Sequence, residues 1–259
     1  MSVKELFNLD GKVALITGGS RGLGLTMAEA LGEMGARVAL VARKADELAA
    51  AKSSLEAQRI ICMTIAGDLA QPATVTRVVD AVLDAWGQID ILVNNAGANW
   101  AAPAEDYPDD GWRKVMALNI DAQFALSREV GKRSMIPRRT GKIINIASIA
   151  GLYGNPPAWQ MQTIAYNTSK GALVNFTRAL AAEWGRHNIN VNAICPGFFP
   201  SKMTKTVLER IDRAVIELTP LGRLGHEDDL KGSVAFLASE ASRHVTGQAL
   251  VVDGGCTIV

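Results

Sequence analysis

The feature of this sequence that most limits its possible folds is a regular alternation of short apolar runs with longer segments of helical period. The short runs are rich in β-branched residues and almost wholly apolar, as strands covered on both faces must be. Strands that alternate with helices in this way form a parallel sheet. The sequence therefore predicts one α/β domain over residues 1–259, a doubly wound parallel sheet of about seven strands with helices on both faces.

The predicted strands are Val13–Thr17, Arg37–Val41, Ile60–Ile65, Ile89–Asn94, Lys142–Ala147, Asn190–Ile194 and Ala249–Val252. The predicted helices are Leu23–Met34, Ala45–Ala57, Ala73–Trp86, Gly111–Ile136, Ala165–Arg186 and Glu227–Ser239. Two segments, 151–163 and 196–224, are longer than the connections usual in such sheets. Loops at the carboxyl ends of parallel strands bind ligands, so we expect these two segments to contact the substrate.

Composition narrows the classes of partner. The 27 Lys and Arg nearly balance the 26 Asp and Glu, which gives no overall attraction to nucleic acid or anionic lipid. No run approaches the roughly 18 apolar residues of a membrane span, and the N-terminus has no signal-like stretch. The three cysteines are far apart, without metal-ligand spacing. We expect a cytoplasmic protein with small-molecule partners and no nucleic acid, membrane or metal partner.

A glycine-rich loop, TGGSRGLG at 17–24, joins the first predicted strand to the first predicted helix. Glycines let a phosphate approach the backbone closely, and the N–H groups of the loop and of the helix N-terminus can face an anion. The loop is therefore predicted to hold the phosphates of a nucleotide.

The spacing TGxxxGxG, with NNAG at 94–97, YNTSK at 166–170 and PG at 196–197, resembles the short-chain dehydrogenase/reductase family over essentially the whole chain. Segments such as DGKVALITGGSRGLGL and ICPGFFPSKMT look most like its gluconate 5-dehydrogenase branch. The resemblance implies a Rossmann-type fold and an oxidoreductase that interconverts a secondary alcohol and a ketone with a nicotinamide cofactor.

The resemblance also assigns a cofactor site. Asp68 would bind the adenine amino group, Phe198 the nicotinamide ring and Thr204 the carboxamide. Cations replace the acidic residue that would hold the NAD ribose at the end of strand two, which favours NADP, with NAD also possible. The implied cofactor residues are Gly18, Ser20, Arg21, Gly22, Leu23, Gly24, Arg43, Lys44, Asp68, Leu69, Asn95, Ala96, Gly97, Tyr166, Lys170, Pro196, Gly197, Phe198 and Thr204.

Tyr166 and Lys170 are four residues apart in a helical segment, so their side chains meet on one face. A neighbouring ammonium favours the phenolate, and we expect it to lower the pKa of Tyr166 toward the working range of a proton donor. By resemblance, Lys170 also binds the nicotinamide ribose and Ser148 donates to the substrate carbonyl. Asn119 completes the family's set by holding a water that links Lys170 to solvent.

The substrate implied by the branch is a sugar acid such as gluconate or 5-ketogluconate. Lys202 is the candidate cation for its carboxylate, and Trp100 and Trp159 lie in loops where they could contact it. The segment 151–163 is longer than in most members of the family and would reshape the substrate mouth.

Two other functions stay open. One is reduction of 3-oxoacyl groups on acyl carrier protein, for which a basic docking patch is needed; the candidates are Arg128, Lys132, Arg133, Arg138 and Arg139. The other is a regulatory protein that binds NADP without turnover. Because family members commonly pair their long helices between subunits, the resemblance also implies a homotetramer.

Overall fold

The computed structural model describes residues 1–200 and 204–259, and all of their side chains except those of residues 158 and 205–207. Seven strands form one sheet in the order β3-β2-β1-β4-β5-β6-β7. Every neighbouring pair is parallel. The strands are β1 Val13–Thr17, β2 Arg37–Ala42, β3 Cys62–Ala66, β4 Ile91–Asn94, β5 Gly141–Ile146, β6 Ile189–Pro196 and β7 Ala249–Val252. The predicted doubly wound parallel sheet is confirmed.

Two strands begin later than predicted, because the apolar residue before each is used at a junction. The N–H of Ile60 donates to Leu55 O at the end of the preceding helix (3.0 Å), and the N–H of Ile89 donates to the Ser134 hydroxyl (2.8 Å). Both isoleucines are buried without joining the strand ladder. Apolar character alone could not separate these positions from the strands that follow.

The helices are α1 Val3–Phe7, α2 Gly22–Glu33, α3 Ala45–Ala57, α4 Pro72–Trp86, α5 Asp109–Met116, α6 Ala122–Val130, α7 Ile136–Arg138, α8 Ile164–Trp184, α9 Lys205–Leu218 and α10 Lys231–Ala238. The predicted helix 111–136 is interrupted by two π-helical turns, Ala117–Asp121 and Gly131–Met135. The last predicted helix begins with a 3₁₀ turn, Glu227–Leu230, before α10. Helix α9 lies within the segment 196–224, for which the sequence predicts only a long connection.

Helix α9 buries Leu208, Ile211 and Val215, which recur at helical spacing along one face. This pattern was present in the sequence and was missed because the segment was interpreted only by its length. The segment 151–163 has no helix longer than the 3₁₀ turns Ile149–Gly151 and Pro157–Trp159 at its start and middle.

Alternate residues of the strands enter two apolar layers. On β1, Ala14 and Ile16 join the layer formed with α2, α3 and α10, whereas Val13 and Leu15 join the layer formed with α4, α6 and α8. Burial on both faces explains why the strands read as continuous apolar runs. Because the strands are all parallel, the polar segments that follow them lie together at one edge, the carboxyl edge of the sheet.

Among the residues the structure describes, no helix combines the length and the apolar character that crossing a bilayer requires. The same residues include no group of three or more His, Cys, Asp or Glu placed to hold a metal ion.

Candidate active site

The glycine-rich loop after β1 and the NNAG segment after β4 are joined by Thr17. Its hydroxyl oxygen accepts hydrogen bonds from the N–H groups of Asn95 and Ala96, both at 2.9 Å. The Asn95 side-chain amide in turn donates to the carbonyl oxygens of Thr17 (2.9 Å) and Gly18 (3.2 Å). The two loops therefore form one rigid unit where β1 and β4 lie side by side, the point at which sheets of this kind bind nucleotides.

The glycines of the first loop are needed for two different reasons. Gly18 and Gly22 have φ of +65° and +52°, in the left-handed region that favours glycine. A Cβ on Gly24 would lie 2.2 Å from the Gly18 carbonyl oxygen, so the loop could not close over a larger residue. A Cβ on Gly22 meets nothing within 4 Å, which places open space in front of the loop.

The polar and basic side chains beside this loop converge on Glu47, in the first turn of α3. Glu47 Oε1 accepts from Arg21 Nη1 (2.7 Å) and Lys44 Nζ (3.0 Å), and Oε2 accepts from the Ser20 hydroxyl (3.3 Å). Arg43 is exposed and has no hydrogen bond or ion pair within the described residues. Three predicted cofactor residues, Ser20, Arg21 and Lys44, are thus gathered around Glu47, and Arg43 stands apart from them.

Other predicted cofactor residues lie near the carboxyl edge of the sheet, where their contacts within the chain are structural. Asp68 follows β3 and its Oδ1 accepts from the N–H of Ala70 (3.1 Å), which shapes the turn. Leu69 is buried in the layer beneath β1, whereas Leu23, in the first turn of α2, packs against the opposite layer.

Tyr166 and Lys170 lie in the first two turns of α8 and point toward Ser148, which follows β5. The Lys170 Nζ is 5.5 Å from the centroid of the Tyr166 ring and donates to the Ile146 carbonyl at 2.6 Å. The Ser148 hydroxyl is hydrogen-bonded to the Tyr166 hydroxyl. Three groups predicted to act together, from a strand end and a helix start far apart in the chain, are brought together by the fold.

The expected effect of Lys170 on Tyr166 is wrong for the protein without ligand. Burial raises the pKa of Tyr166 above its ordinary value, and the bond with Ser148 only partly opposes this rise. Burial also lowers the pKa of Lys170 to about 8. The ammonium is directed at the Ile146 carbonyl instead of the phenol oxygen, so desolvation outweighs its attraction for a phenolate.

Asn119 lies in the π-helical turn between α5 and α6, and such turns frequently mark functional sites. Its side chain is fully buried: Oδ1 accepts from Ala98 N–H (2.7 Å), and Nδ2 donates to Ala98 O (3.0 Å) and to the Ser169 hydroxyl (2.9 Å). A Cβ on Gly97 would lie 3.3 Å from Asn119 Oδ1 and 3.8 Å from Lys170 Nζ. Asn119 is therefore close to the lysine, and its side chain ties the NNAG loop to α8.

The segment after β6 packs against the C-terminal part of the chain. The N–H of Gly197, which follows Pro196 at the end of β6, donates to Val252 O (2.9 Å), and a Cβ on Gly197 would lie 2.6 Å from that of Asp253. The Thr204 hydroxyl donates to Phe199 O at 2.7 Å.

The two loop tryptophans have different surroundings. Trp159 is 3% exposed, packs with Ile211 and Val215 of α9, and meets Phe198 edge to face at 5.3 Å. Trp100 is 40% exposed, with Lys114 Nζ 5.3 Å from the centroid of its ring. Trp159 is thus an anchor that fixes the segment 151–163 to α9, and only Trp100 presents a surface.

Lys202, the candidate cation for a substrate carboxylate, lies outside the described residues. Sequence reasoning also missed two residues of this site, Glu47 and Thr17. Glu47 had a visible signal, because an acidic residue in a first helical turn after a basic pair is placed to bond with it. Thr17 had none, since its partners are more than seventy residues away in the chain.

Comparison with known proteins agrees with this geometry. A family model described as enoyl-(acyl carrier protein) reductase matches residues 18–257. Gluconate 5-dehydrogenase of Gluconobacter oxydans is 40% identical, with 100% of this chain and 99% of that protein covered. A rhamnolipid-biosynthesis 3-oxoacyl-acyl-carrier-protein reductase of Pseudomonas aeruginosa is 39% identical over 96% of this chain and 97% of its own length.

Among solved structures, a gluconate 5-dehydrogenase from Burkholderia cenocepacia in complex with NADP and tartrate superposes with a TM-score of 0.93. It is 35% identical, and 100% of each chain is covered. The region that the family model and the relatives match spans nearly the whole chain, and it contains the glycine-rich loop, Ser148 and the Tyr166–Lys170 pair. The chain belongs to the short-chain dehydrogenase/reductase family and is an oxidoreductase acting on CH–OH groups.

Proposed function

We propose that this enzyme uses NADP(H) to interconvert a secondary alcohol and a ketone on a sugar acid, with gluconate and 5-ketogluconate as the substrate pair. The observation that carries the proposal is the convergence of Tyr166, Ser148 and Lys170 beside the glycine-rich loop. The substrate pair is supported by the 40% identity to the Gluconobacter enzyme. The inserted segment 151–163 and α9, joined through Trp159, would shape the substrate mouth.

The residues can hold the cofactor. Open space in front of Gly22 leaves room for phosphate groups, and Arg21 and Lys44 supply positive charge beside the loop. Lys170 makes one hydrogen bond to the described residues, whereas an ammonium has three donors, so two remain for ribose hydroxyls. In the enzyme with bound cofactor, Asp68 would bind the adenine amino group. Phe198 would contact the nicotinamide ring and Thr204 its carboxamide.

The chemistry then divides between cofactor and chain. The cofactor held by the glycine-rich loop and Lys170 would, when bound as NADPH, supply the hydride for the carbonyl carbon of the substrate. Ser148 donates a hydrogen bond to the carbonyl oxygen and holds it at Tyr166. Tyr166 gives its hydroxyl proton to the oxygen as negative charge develops, and takes it back in the oxidative direction. Burial raises the pKa of Tyr166 in the protein without ligand, so the hydroxyl carries the proton that reduction needs but is a weaker acid than an ordinary tyrosine. Asn119, beside Lys170, would hold the water that returns the proton from solvent.

The test is the initial rate of cofactor oxidation by the purified enzyme with 5-ketogluconate and, separately, with an acetoacetyl thioester. Each substrate is supplied with NADPH and with NADH. We expect the highest kcat/KM with 5-ketogluconate and NADPH. Turnover of the thioester alone would support the alternative function, reduction of 3-oxoacyl groups. No turnover of either substrate would contradict the proposed substrate.

The acyl-carrier-protein alternative is supported by the Pseudomonas relative, whose name gives that activity. The basic residues predicted to dock a carrier protein are largely engaged within the chain. Arg133 pairs with Asp80 (2.6 Å), Arg138 with the buried Asp90, and Arg139 donates to the Arg186 carbonyl (3.0 Å). This engagement favours a small substrate over a carrier protein.

A regulatory protein that binds NADP without turnover is the second alternative. Such a protein needs no proton donor, and nothing would maintain the costly burial of a lysine beside a tyrosine and a serine. The assembled Ser148, Tyr166 and Lys170 therefore argue against it.

We also propose that the chain acts as one catalytic domain in a homotetramer, while the cytoplasmic location stays a prediction from the sequence. Phe124, which precedes Arg128 on α6, is 47% exposed, and Ile258 and Val259 at the C-terminus are 80% and 79% exposed. Subunit contacts bury contiguous apolar surface, and we expect a neighbouring subunit to cover these exposed side chains. Sedimentation at micromolar concentration should give four times the chain mass of 27.6 kDa, and a mass near that of one chain would contradict the tetramer.

A further inference from the structure

The carboxylate of Glu47 occupies the centre of the cationic cluster beside the glycine-rich loop. It receives hydrogen bonds from Arg21 at 2.7 Å, Lys44 at 3.0 Å and Ser20 at 3.3 Å. The Glu47 side chain is 24% exposed, less than the 51% of Arg21 and the 58% of Lys44. The bond from Lys44 and the charge on Arg21 hold the pKa of Glu47 below its ordinary value, so it is ionised at neutral pH.

Two of these donors, Arg21 and Lys44, are the cations beside the loop in the proposed function, where the 2′-phosphate that distinguishes NADP from NAD would bind. A carboxylate and a phosphate are both anions that accept charge-assisted hydrogen bonds, and arginine serves either. A 2′-phosphate must therefore share these donors with Glu47 or displace it, and the two negative charges repel each other. The ribose hydroxyl of NAD has no such conflict, because a hydroxyl donates to a carboxylate.

Resting on the proposed use of NADP, we propose that Glu47 is a specificity-determining residue that competes with the 2′-phosphate and narrows the preference for NADP over NAD. Arg43, which has no ion pair among the described residues, is the cation that a phosphate can reach without displacing Glu47. Arg21 and Lys44 become available only when their bonds to Glu47 are given up. The cluster can therefore bind the 2′-phosphate of NADP, but with lower affinity than it would without Glu47. It can also bind NAD, which lacks this phosphate.

The test compares the wild-type enzyme with Glu47→Gln, which keeps the length and shape of the side chain and removes its charge. Dissociation constants for NADPH and NADH are measured by titrating nucleotide fluorescence without substrate, so the result does not depend on turnover. We expect NADPH to bind about fivefold more tightly to Glu47→Gln. NADH should bind equally well or more weakly. High salt should reduce the gain, because it screens the repulsion between the Glu47 carboxylate and the 2′-phosphate.

Glu56→Gln is the matched control. Glu56 lies near the end of the same helix, pairs with Lys52 at 3.6 Å, and is 52% exposed. The substitution Glu56→Gln removes one negative charge from α3 without changing the cluster around Glu47. The dissociation constants for NADPH and NADH should therefore both match the wild type. An equal gain in this variant would show a general effect of net charge and would overturn the proposal.

Unchanged or weaker NADPH binding by Glu47→Gln would also overturn the proposal, since Glu47 would then be neutral or would hold the cations in place. The proposed preference for NADP is tested separately from the role of Glu47, by measuring NADPH and NADH binding to the wild type and to Arg21→Ala. If wild-type enzyme binds NADH more tightly than NADPH, the preference itself is wrong. Arg21→Ala should weaken NADPH binding about tenfold and leave NADH unchanged.

Discussion

Tyr166→Phe should lower kcat with 5-ketogluconate and NADPH by about 10³-fold while leaving the dissociation constant for NADPH within about twofold of the wild type. The substitution removes only the hydroxyl that is bonded to Ser148. The other titratable groups nearby are poorly placed to replace it, because Lys170 Nζ is engaged with the Ile146 carbonyl and burial raises the pKa of the Cys195 thiol to about 11. The loss is therefore a loss of proton transfer, with the aromatic ring and its packing retained.

Ser148→Ala separates proton transfer from substrate orientation. It removes the hydrogen bond from Ser148 and should reduce kcat less severely, because Tyr166 retains its proton. Cofactor titration and circular dichroism of both variants establish that fold and cofactor site are intact. Comparable turnover by wild type and Tyr166→Phe would remove Tyr166 from its role as the proton donor.

The sheet could be predicted from the sequence because parallel strands buried on both faces show themselves as uninterrupted apolar runs. Val13–Thr17 and Ala249–Val252 were placed to the residue. The first residues of β3 and β4 were not predicted correctly. Ile60 and Ile89 are as apolar as strand residues, but they lie at the junctions before the strands. Helix α9 was missed although Leu208, Ile211 and Val215 carry its period.

The site was predictable where motifs hold its residues at fixed spacing, and Tyr166 and Lys170 meet as a four-residue helical spacing requires. Side-chain partners across the fold were not predictable. The pairing of Arg21 with Glu47 joins the glycine-rich loop to the first turn of α3 through the tertiary structure. The sign of the Tyr166 pKa shift also depends on burial, because desolvation of the phenolate outweighs a lysine that is directed at another acceptor.

Lys170→Met should lower kcat by about 10²-fold or more and weaken NADPH binding, because the proposed bond to the nicotinamide ribose and the positive charge near Tyr166 are both lost. Methionine is close to lysine in length and suits a site that is only 3% exposed. A variant with wild-type turnover and cofactor affinity would remove Lys170 from the site.

The same variant has a second readout, the pH dependence of stability. The pKa of Lys170 is about 8 in the folded protein, below its ordinary value of 10.5. Below about pH 8 the folded and unfolded chains both hold the proton, and this lysine gives no slope to stability against pH. Between the two pKa values the unfolded chain holds more protons than the folded chain, so stability rises with pH.

Urea unfolding of wild type and Lys170→Met at about pH 7 and about pH 9.5 isolates this contribution, because other groups titrate alike in both proteins. The free energy of unfolding of the wild type should gain about 1–2 kcal/mol relative to the variant over this range. The gain measures what the protein gives up at neutral pH to keep a charged lysine buried in the site. Parallel changes in the two proteins would mean that Lys170 keeps an ordinary pKa when folded, and its charge would then carry no cost to stability.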